Sequence, residues 1–281
     1  MLKPLPIGVQ SFRKLITGGY LYVDKTKWIY EMVKYPSGLY FLSRPRRFGK
    51  SLMVSTLEEI FLGNRDLFKG LWIDESDYQW QIHPVIRIDF SLMAVKSAEE
   101  LESGLIDFLQ HYALQHNITL RPGRYYTQFS DLIYKLSAKG RVVILIDEYD
   151  KPIIDNLTNV EEAKKIRDVL KGFYTVIKAM NAQTRFVFLT GISKFSKAGV
   201  FSSLNNLSDI TMDDRFATCV GLTQSELESN FEARIPALAS HLQLSQNALL
   251  EQIQKWYNGF RFSKRGEPVY NPFSTLSLFE K

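Results

Sequence analysis

Four stretches of the chain are apolar, short and rich in β-branched or aromatic residues: 39–43, 85–90, 142–146 and 184–191. Such runs read as strands buried on both faces of a parallel sheet, where no polar alternation survives. Between them the spacing shifts to the helical period. Residues 52–62 predict a helix. So do residues 27–34, with Asp24 placed to cap them. Ser97 and Glu100 form a capping box ahead of an amphipathic face made by Leu101, Leu105, Phe108, Leu109 and Tyr112. Arg121-Pro122-Gly123 reads as a turn, 130–139 as a helix stopped by Gly140, and 160–180 as a long helix.

Strands alternating with helices imply an α/β fold with right-handed crossovers. Residues 192–216 are polar and aperiodic, a loop long enough to suggest function. Cys219-Val220-Gly221-Leu222 reads as a short edge strand. Thr223 and Glu226 open a run of helices that continues through 245–256 and ends at Asn258-Gly259. The expected organisation is an α/β core over 1–222 and a small helical lid over 223–281. Residues 271–281 look like a new helix cut after about two turns, as if a longer protein continued beyond it.

The strand at 39–43 runs into Arg44-Pro45-Arg46-Arg47-Phe48-Gly49-Lys50-Ser51, the pattern of a phosphate-binding loop with arginine in place of its first glycine. A strand, a tight loop and a helix N-terminus together aim backbone N–H groups at an anion, and the helix dipole favours negative charge. Gly-Lys-Ser/Thr alone arises by chance in roughly one chain in seven of this length. The strand 142–146 decides the matter, because it ends in Asp147 and Glu148 where the open edge of such a sheet lies. In phosphate-loop enzymes an Asp at this place holds magnesium. The next residue points the other way across the pleat and is placed to orient or deprotonate a water.

Bulk properties change this picture little. The 281 residues are 45% hydrophobic with net charge +5, which rules out a disordered chain and permits a polyanionic partner without requiring one. Cys219 is the only cysteine, so there is no internal disulfide and no cysteine-clustered zinc site. The four histidines are scattered, and His111 and His116 lie five apart, the wrong interval for one helical face. No apolar run approaches membrane-spanning length and the N-terminus lacks a signal-peptide core, so the expected location is the cytoplasm, with no membrane partner.

These blocks together resemble the AAA-ATPase-like family of prokaryotic P-loop proteins, frequently joined to a C-terminal PD-(D/E)XK nuclease domain. The resemblance rests on Leu5-Pro6-Ile7-Gly8, Tyr22-Val23-Asp24-Lys25-Thr26, the 44–51 loop, Asp147 to Pro152, Thr190 to Lys194, Asn206 to Asp209, Trp256 to Phe260 and Tyr270 to Ser274. It implies a three-layer α/β/α P-loop NTPase with a mainly parallel sheet and a helical lid, winged-helix-like in one form. It also implies magnesium-dependent ATP binding and hydrolysis, with ATP and Mg2+ as the ligands. A second copy of the chain, and DNA or RNA reached through a nuclease portion that lies outside this sequence, complete the implied partners. Lid motion would then drive or gate a partner.

Lys50 would reach the β- and γ-phosphates; Ser51 would hold the metal, with Asp147 acting directly or through a water; Glu148 would be the general base, or else only cap a neighbouring loop. Arg46, Arg47, Phe48, Gly49 and Leu52 line the loop. Asp24 either approaches the nucleotide base or caps a helix. Thr190 and Ser193 either sense the γ-phosphate or are ordinary strand-end hydroxyls. Arg44, Arg46 and Arg47 either clamp phosphate, pair with Glu148 or Asp150, or face nucleic acid. Arg215 is a candidate arginine finger. Phe195, Phe201, Trp72, Trp80, Tyr125 and Tyr126 are candidate stacking faces, set against the commoner role of aromatics as core. A nucleotide-binding switch with little turnover and a nucleic-acid-binding module are the competing functions.

Overall fold

The computed structural model describes residues 2–194, 199, 201, 204 and 206–280. Its centre is a five-stranded, wholly parallel sheet built from β1 (Gly38–Ser43), β2 (Val85–Asp89), β3 (Val142–Asp147), β4 (Thr184–Gly191) and β5 (Ser208–Asp209), in the order β2-β3-β4-β1-β5. The helices are α1 (Phe12–Thr17), α2 (Thr26–Val33), α3 (Lys50–Phe61), α4 (Ala98–Gln115), α5 (Tyr125–Leu136), α6 (Lys151–Ile154), α7 (Val160–Ala179), α8 (Gln224–Phe231), α9 (Ile235–His241), α10 (Gln246–Tyr257) and α11 (Pro272–Glu280). A two-stranded antiparallel hairpin, β6 (Asn258–Phe260) with β7 (Val269–Tyr270), separates α10 from α11. The fold is a three-layer α/β sandwich.

The uninterrupted apolar run of β3 has a direct cause. Val143 and Leu145 pack with α1, α2 and α3 on one face, whereas Ile144 and Ile146 pack with α4, α5 and α7 on the other. Every residue of β3 is buried, and each of its apolar side chains, Val142 to Ile146, contributes about 1.5–3 kcal/mol relative to exposure. The direct crossover from β1 through α3 and that from β2 through α4 and α5 fall on opposite faces, because β2 lies to one side of β1 and the chain then steps back toward it. That reversal leaves the carboxyl ends of β1, β4 and β3 side by side, where open α/β sheets bind ligands.

Several expectations shift. The edge strand beside β1 is Ser208–Asp209, inside the long polar loop, and not 219–222. Of the latter only Leu222 forms a bridge, to Tyr270. Helix α5 begins at Tyr125 rather than 130, because the Tyr125 ring is buried and its hydroxyl donates to the Val169 carbonyl at 3.1 Å. The Thr223–Glu226 capping box forms in full. At Ser97 the hydroxyl accepts from the Glu100 amide, while the Glu100 carboxylate reaches the Lys96 amide instead.

Residues beyond 222 pack a small core of Leu227, Phe231, Ile235, Leu249, Ile253 and Tyr270, which is closed by Leu5, Leu21 and Val23 from the N-terminal segment and by Leu276 of α11. The first and last segments of the chain therefore meet beside the 44–51 loop.

Candidate functional site

The loop turns twice through the left-handed region, at Arg47 (φ 67°) and at Gly49 (φ 91°). A Cβ at Gly49 would meet nothing within 4 Å, so the dihedral and not crowding favours glycine there. Gly49 caps α3 without any side-chain hydrogen bond, and the first turn holds no acidic residue. The opening amides of a twelve-residue helix are therefore left for an external acceptor.

Lys50 follows at the first helical position, buried, with its ammonium donating to the carbonyls of Arg44 (3.0 Å) and Pro45 (3.1 Å). Burial lowers its pKa, and the neighbouring Asp147, Glu148 and Asp150 carboxylates oppose the shift. The ammonium is thus held inside the loop, on carbonyls of the loop's own entry.

Strand pairing fixes the other half. Thr190 and Gly191 lie beside Leu42 and Ser43 of β1, and Asp147 lies beside Asp89 of β2. Asp147 Oδ1 accepts from the Glu148 amide at 3.0 Å, whereas Oδ2 is buried without a hydrogen-bond partner of acceptable geometry among the described residues. Burial first, and then the charge of Asp89, push the Asp147 pKa up; the Ser51 hydroxyl is the main influence the other way. A buried carboxylate oxygen outside hydrogen-bond geometry, with the Ser51 hydroxyl beside the carboxylate, fits a cation. Among the described residues no group of three or more His, Cys, Asp or Glu side chains is placed to hold a metal ion. Magnesium does not need one, since it is usually held by one or two protein ligands together with phosphate oxygens and waters.

Glu148 adopts a left-handed backbone (φ 49°), which is uncommon for this residue type and is found where surrounding structure enforces it. Its pKa is raised by burial and by Asp147 and Asp89. With Lys50, Ser51, Arg46 and Arg47 it lines a cavity of about 300 Å³ above the start of α3. Gly49 and Leu52, together with Pro6, Leu15, Pro272 and Leu276, also line a second, apolar cavity of about 110 Å³, whose further walls include Tyr22, Phe48, Met53 and Leu222. The two cavities adjoin over the loop.

A family model described as Predicted AAA-ATPase matches residues 6–201. The chain belongs to this family. A protein of Azotobacter chroococcum mcd 1, described as an uncharacterized protein in the vnfD 5' region, is 44% identical over 99% of this chain. The chain spans about half of that relative's length, 52%. A solved structure of the replication initiator DnaA bound to AMPPCP and single-stranded DNA aligns over 87% of this chain and 59% of its own, with a TM-score of 0.35 and 11% identity.

Within this AAA-ATPase-like chain the remaining candidates fall in distinct places. Arg44 turns away from the cavity: it is 1% exposed, and its guanidinium donates to the carbonyls of Ser43 (2.9 Å), Thr211 (2.7 Å) and Phe216 (3.2 Å) while stacking on Phe262 at 4.0 Å. Arg47 stacks on Phe273 at 4.1 Å, and the Arg46 carbonyl accepts from Asn271 Nδ2 at 3.4 Å. Phe48 is buried against Phe260 and Phe262. Asp24 lines neither cavity. One of its oxygens accepts from the Thr26 amide and hydroxyl, the other from the Trp72 amide, so it pins the start of α2 to the segment at 72.

Thr190 is fully buried and its hydroxyl donates to the Leu42 carbonyl at 2.9 Å. Asp150 accepts from the amides of Ile192 (3.0 Å) and Ser193 (2.6 Å), tying the turn after β3 to the turn after β4. Arg215 is paired with Asp213 at 2.7 Å. Of the stacking candidates, Phe201, Trp80 and Tyr125 pack into the body of the protein, Trp72 and Tyr126 are about 40% exposed, and Phe195 lies outside the described residues. The most exposed tryptophan is Trp256, at 75%.

Among the described residues no helix is long and apolar enough to cross a membrane.

Proposed function

We propose that this chain binds ATP with magnesium and hydrolyses it, and that residues 223–281 act as a lid whose position follows the nucleotide. The observation that carries the reading is that Lys50, Ser51 and Glu148 line one cavity over an uncapped helix N-terminus, beside the buried, unpartnered oxygen of Asp147. The triphosphate would lie along the 46–52 loop on the α3 amides. Lys50 would exchange its two loop carbonyls for phosphate oxygens. The adjoining apolar cavity would take the base, which matches ATP as a ligand with a flat, largely apolar face.

Ser51 and Asp147 would hold magnesium, which when bound neutralises charge building on the phosphates. Glu148 would accept a proton from the attacking water; its raised pKa brings it nearer the operating pH, as general bases require. Thr190 near the end of β4 and Ser193 in the turn after it are assigned to the γ-phosphate end because β4 lies between the loop strand and the acidic strand. Any such contact has to coexist with the Thr190 hydroxyl's bond to Leu42. The lid reading is supported by three contacts from beyond residue 222 onto the loop, namely Phe273 on Arg47, Asn271 on Arg46 and Phe260 on Phe48.

A nucleotide switch with little turnover is the second reading. It is favoured by the engagement of Lys50 within the loop and by the missing first glycine. Phosphate release by the wild type, Lys50→Ala and Glu148→Gln, measured beside nucleotide binding, separates the two. Hydrolysis predicts that Glu148→Gln keeps the nucleotide and loses ~10²–10⁴-fold in turnover. A switch predicts near-zero turnover in all three.

A further inference from the structure

The apolar stripe of α10 runs through Leu249 and Ile253, both buried, and one turn later reaches Trp256, whose ring leaves the core and stands 75% exposed. Phe260 follows at 37% exposed, on the first strand of the hairpin. Around these rings the chain carries Lys255, Arg261, Lys264 and Arg265, and no acidic residue occurs between Glu251 and Glu267. Some exposed bases elsewhere are paired, as in Lys69 with Asp66, Lys164 with Glu161 and Arg215 with Asp213, and others, such as Lys139, Lys171 and Lys178, are not among the described residues. These four form no ion pair among the described residues.

The hairpin turn is also built to hold its shape. Ser263 is buried within it, and its hydroxyl accepts from the Gly266 amide at 2.8 Å. A Cβ on Gly266 would lie 2.5 Å from the Cβ of Ala217, so the turn sits directly on the core segment. At its base, Phe260 and Phe262 meet the ring of Phe48 edge-on at 4.7 and 5.3 Å, and Phe262 carries the guanidinium of Arg44. A rigid element whose four bases form no ion pair, with a solvent-facing indole that Lys255 overlies at 5.9 Å and with the Asp214 carboxylate accepting from the Arg265 amide at 3.4 Å, is thereby fastened to the 44–51 loop.

We propose that the end of α10 and the β6–β7 hairpin bind single-stranded nucleic acid. Trp256 is the stacking face for a base, and Lys255, Arg261, Lys264 and Arg265 lie along the phosphates. Stacking on an exposed aromatic beside a basic track is the physical basis of sequence-tolerant single-strand binding. The surface does not depend on the nucleotide reading, because none of its exposed groups lines the cavities over the loop.

The test is fluorescence anisotropy of a labelled oligothymidylate, about thirty nucleotides long so that it spans a whole single-strand site, with the full chain, at about 50 and about 200 mM salt and without ATP. Four phosphate contacts predict that affinity falls roughly fiftyfold between those salt concentrations. Reversing Arg261, Lys264 and Arg265 to Glu lowers the slope of log affinity against log salt by about two. Trp256→Ala weakens binding by about fivefold or more, with an unchanged unfolding midpoint. Reversing Lys139, Lys171 and Lys178, exposed bases elsewhere on the molecule, leaves binding intact. The proposal is overturned if the wild type does not bind, if the control reversal costs as much as the hairpin reversal, or if Trp256→Ala is without effect. Tighter capture on phosphatidylserine vesicles than on the oligonucleotide also overturns it, in favour of a membrane surface.

Discussion

The Arg44 guanidinium donates to the Thr211 carbonyl at 2.7 Å, across 167 positions of sequence. Arginine in place of the loop's first glycine thus faces inward and ties the end of β1 to the segment that follows β5, with Phe262 covering its other side. Burial lowers its pKa, and two of its nitrogens donate to the carbonyls of Ser43, Thr211 and Phe216. Arg44→Gly, which restores the usual loop pattern, is expected to destabilise the protein by about 3 kcal/mol or more, because it removes three hydrogen bonds of a buried guanidinium and opens a cavity. Thermal or urea unfolding checks this. Arg44→Lys should recover little, since an ammonium cannot reproduce the planar fork.

Lys25 and Glu226 form a second long-range tie, with the ammonium 2.6 Å from the carboxylate and 3.0 Å from the Thr218 carbonyl. Both side chains are mostly buried, at 12% and 17% exposure. Removing one partner leaves an uncompensated charge, so Lys25→Met and Glu226→Gln should each cost about 3–5 kcal/mol. The double mutant should cost less than the sum of the two. A double-mutant cycle on unfolding free energy reads the coupling directly.

Gly191 is required by close approach. A Cβ there would lie 2.4 Å from Asp150 Oδ1 and 2.6 Å from the Tyr149 ring. Asp150 is held by the amides of Ile192 and Ser193 and has no cheap way to yield. Gly191→Ala is therefore expected to cost ~1–3 kcal/mol. Nucleotide affinity should fall with it, because the displaced turn carries Ser193. Unfolding and nucleotide-binding titrations on the same variant test both effects.

Asp147 places a raised carboxyl pKa in the folded state. The folded protein then holds a proton that the unfolded chain has already released, so this group's contribution to stability is full below the ordinary carboxylate range and is lost as pH rises through the folded value. In the absence of magnesium, Asp147→Asn should raise the unfolding midpoint at about pH 7 by ~2–4 °C, the shift that goes with about 1 kcal/mol in a domain of this size. The gain should shrink as the pH falls toward the ordinary carboxylate range. Calorimetry across pH in the presence of a chelator measures it.

Much of this was legible in the chain itself. The β3 run reads as a strand buried on both faces and is one, and Gly49, Lys50, Ser51 and Glu148 line one cavity, with Asp147 beside Asp89 at the end of β3. What escaped was set by contacts remote in sequence. The inward turn of Arg44 depends on Thr211 and Phe216, and the Asp24 carboxylate is claimed by Trp72 as well as by Thr26. Two-residue strands such as β5 and β7 are too short to show any periodicity. The aromatic surface at Trp256 was hidden because α10 continues its apolar stripe past the point where the core ends.

The measurement that bears most directly on the account is phosphate release from ATP with magnesium by the wild type and Glu148→Gln, alongside nucleotide binding by both. The account predicts measurable turnover in the wild type, a loss of ~10²-fold or more in the variant, and equal nucleotide affinity in the two. Equal turnover in both proteins would contradict the assignment of Glu148, and a wild type that fails to bind ATP would contradict the site itself.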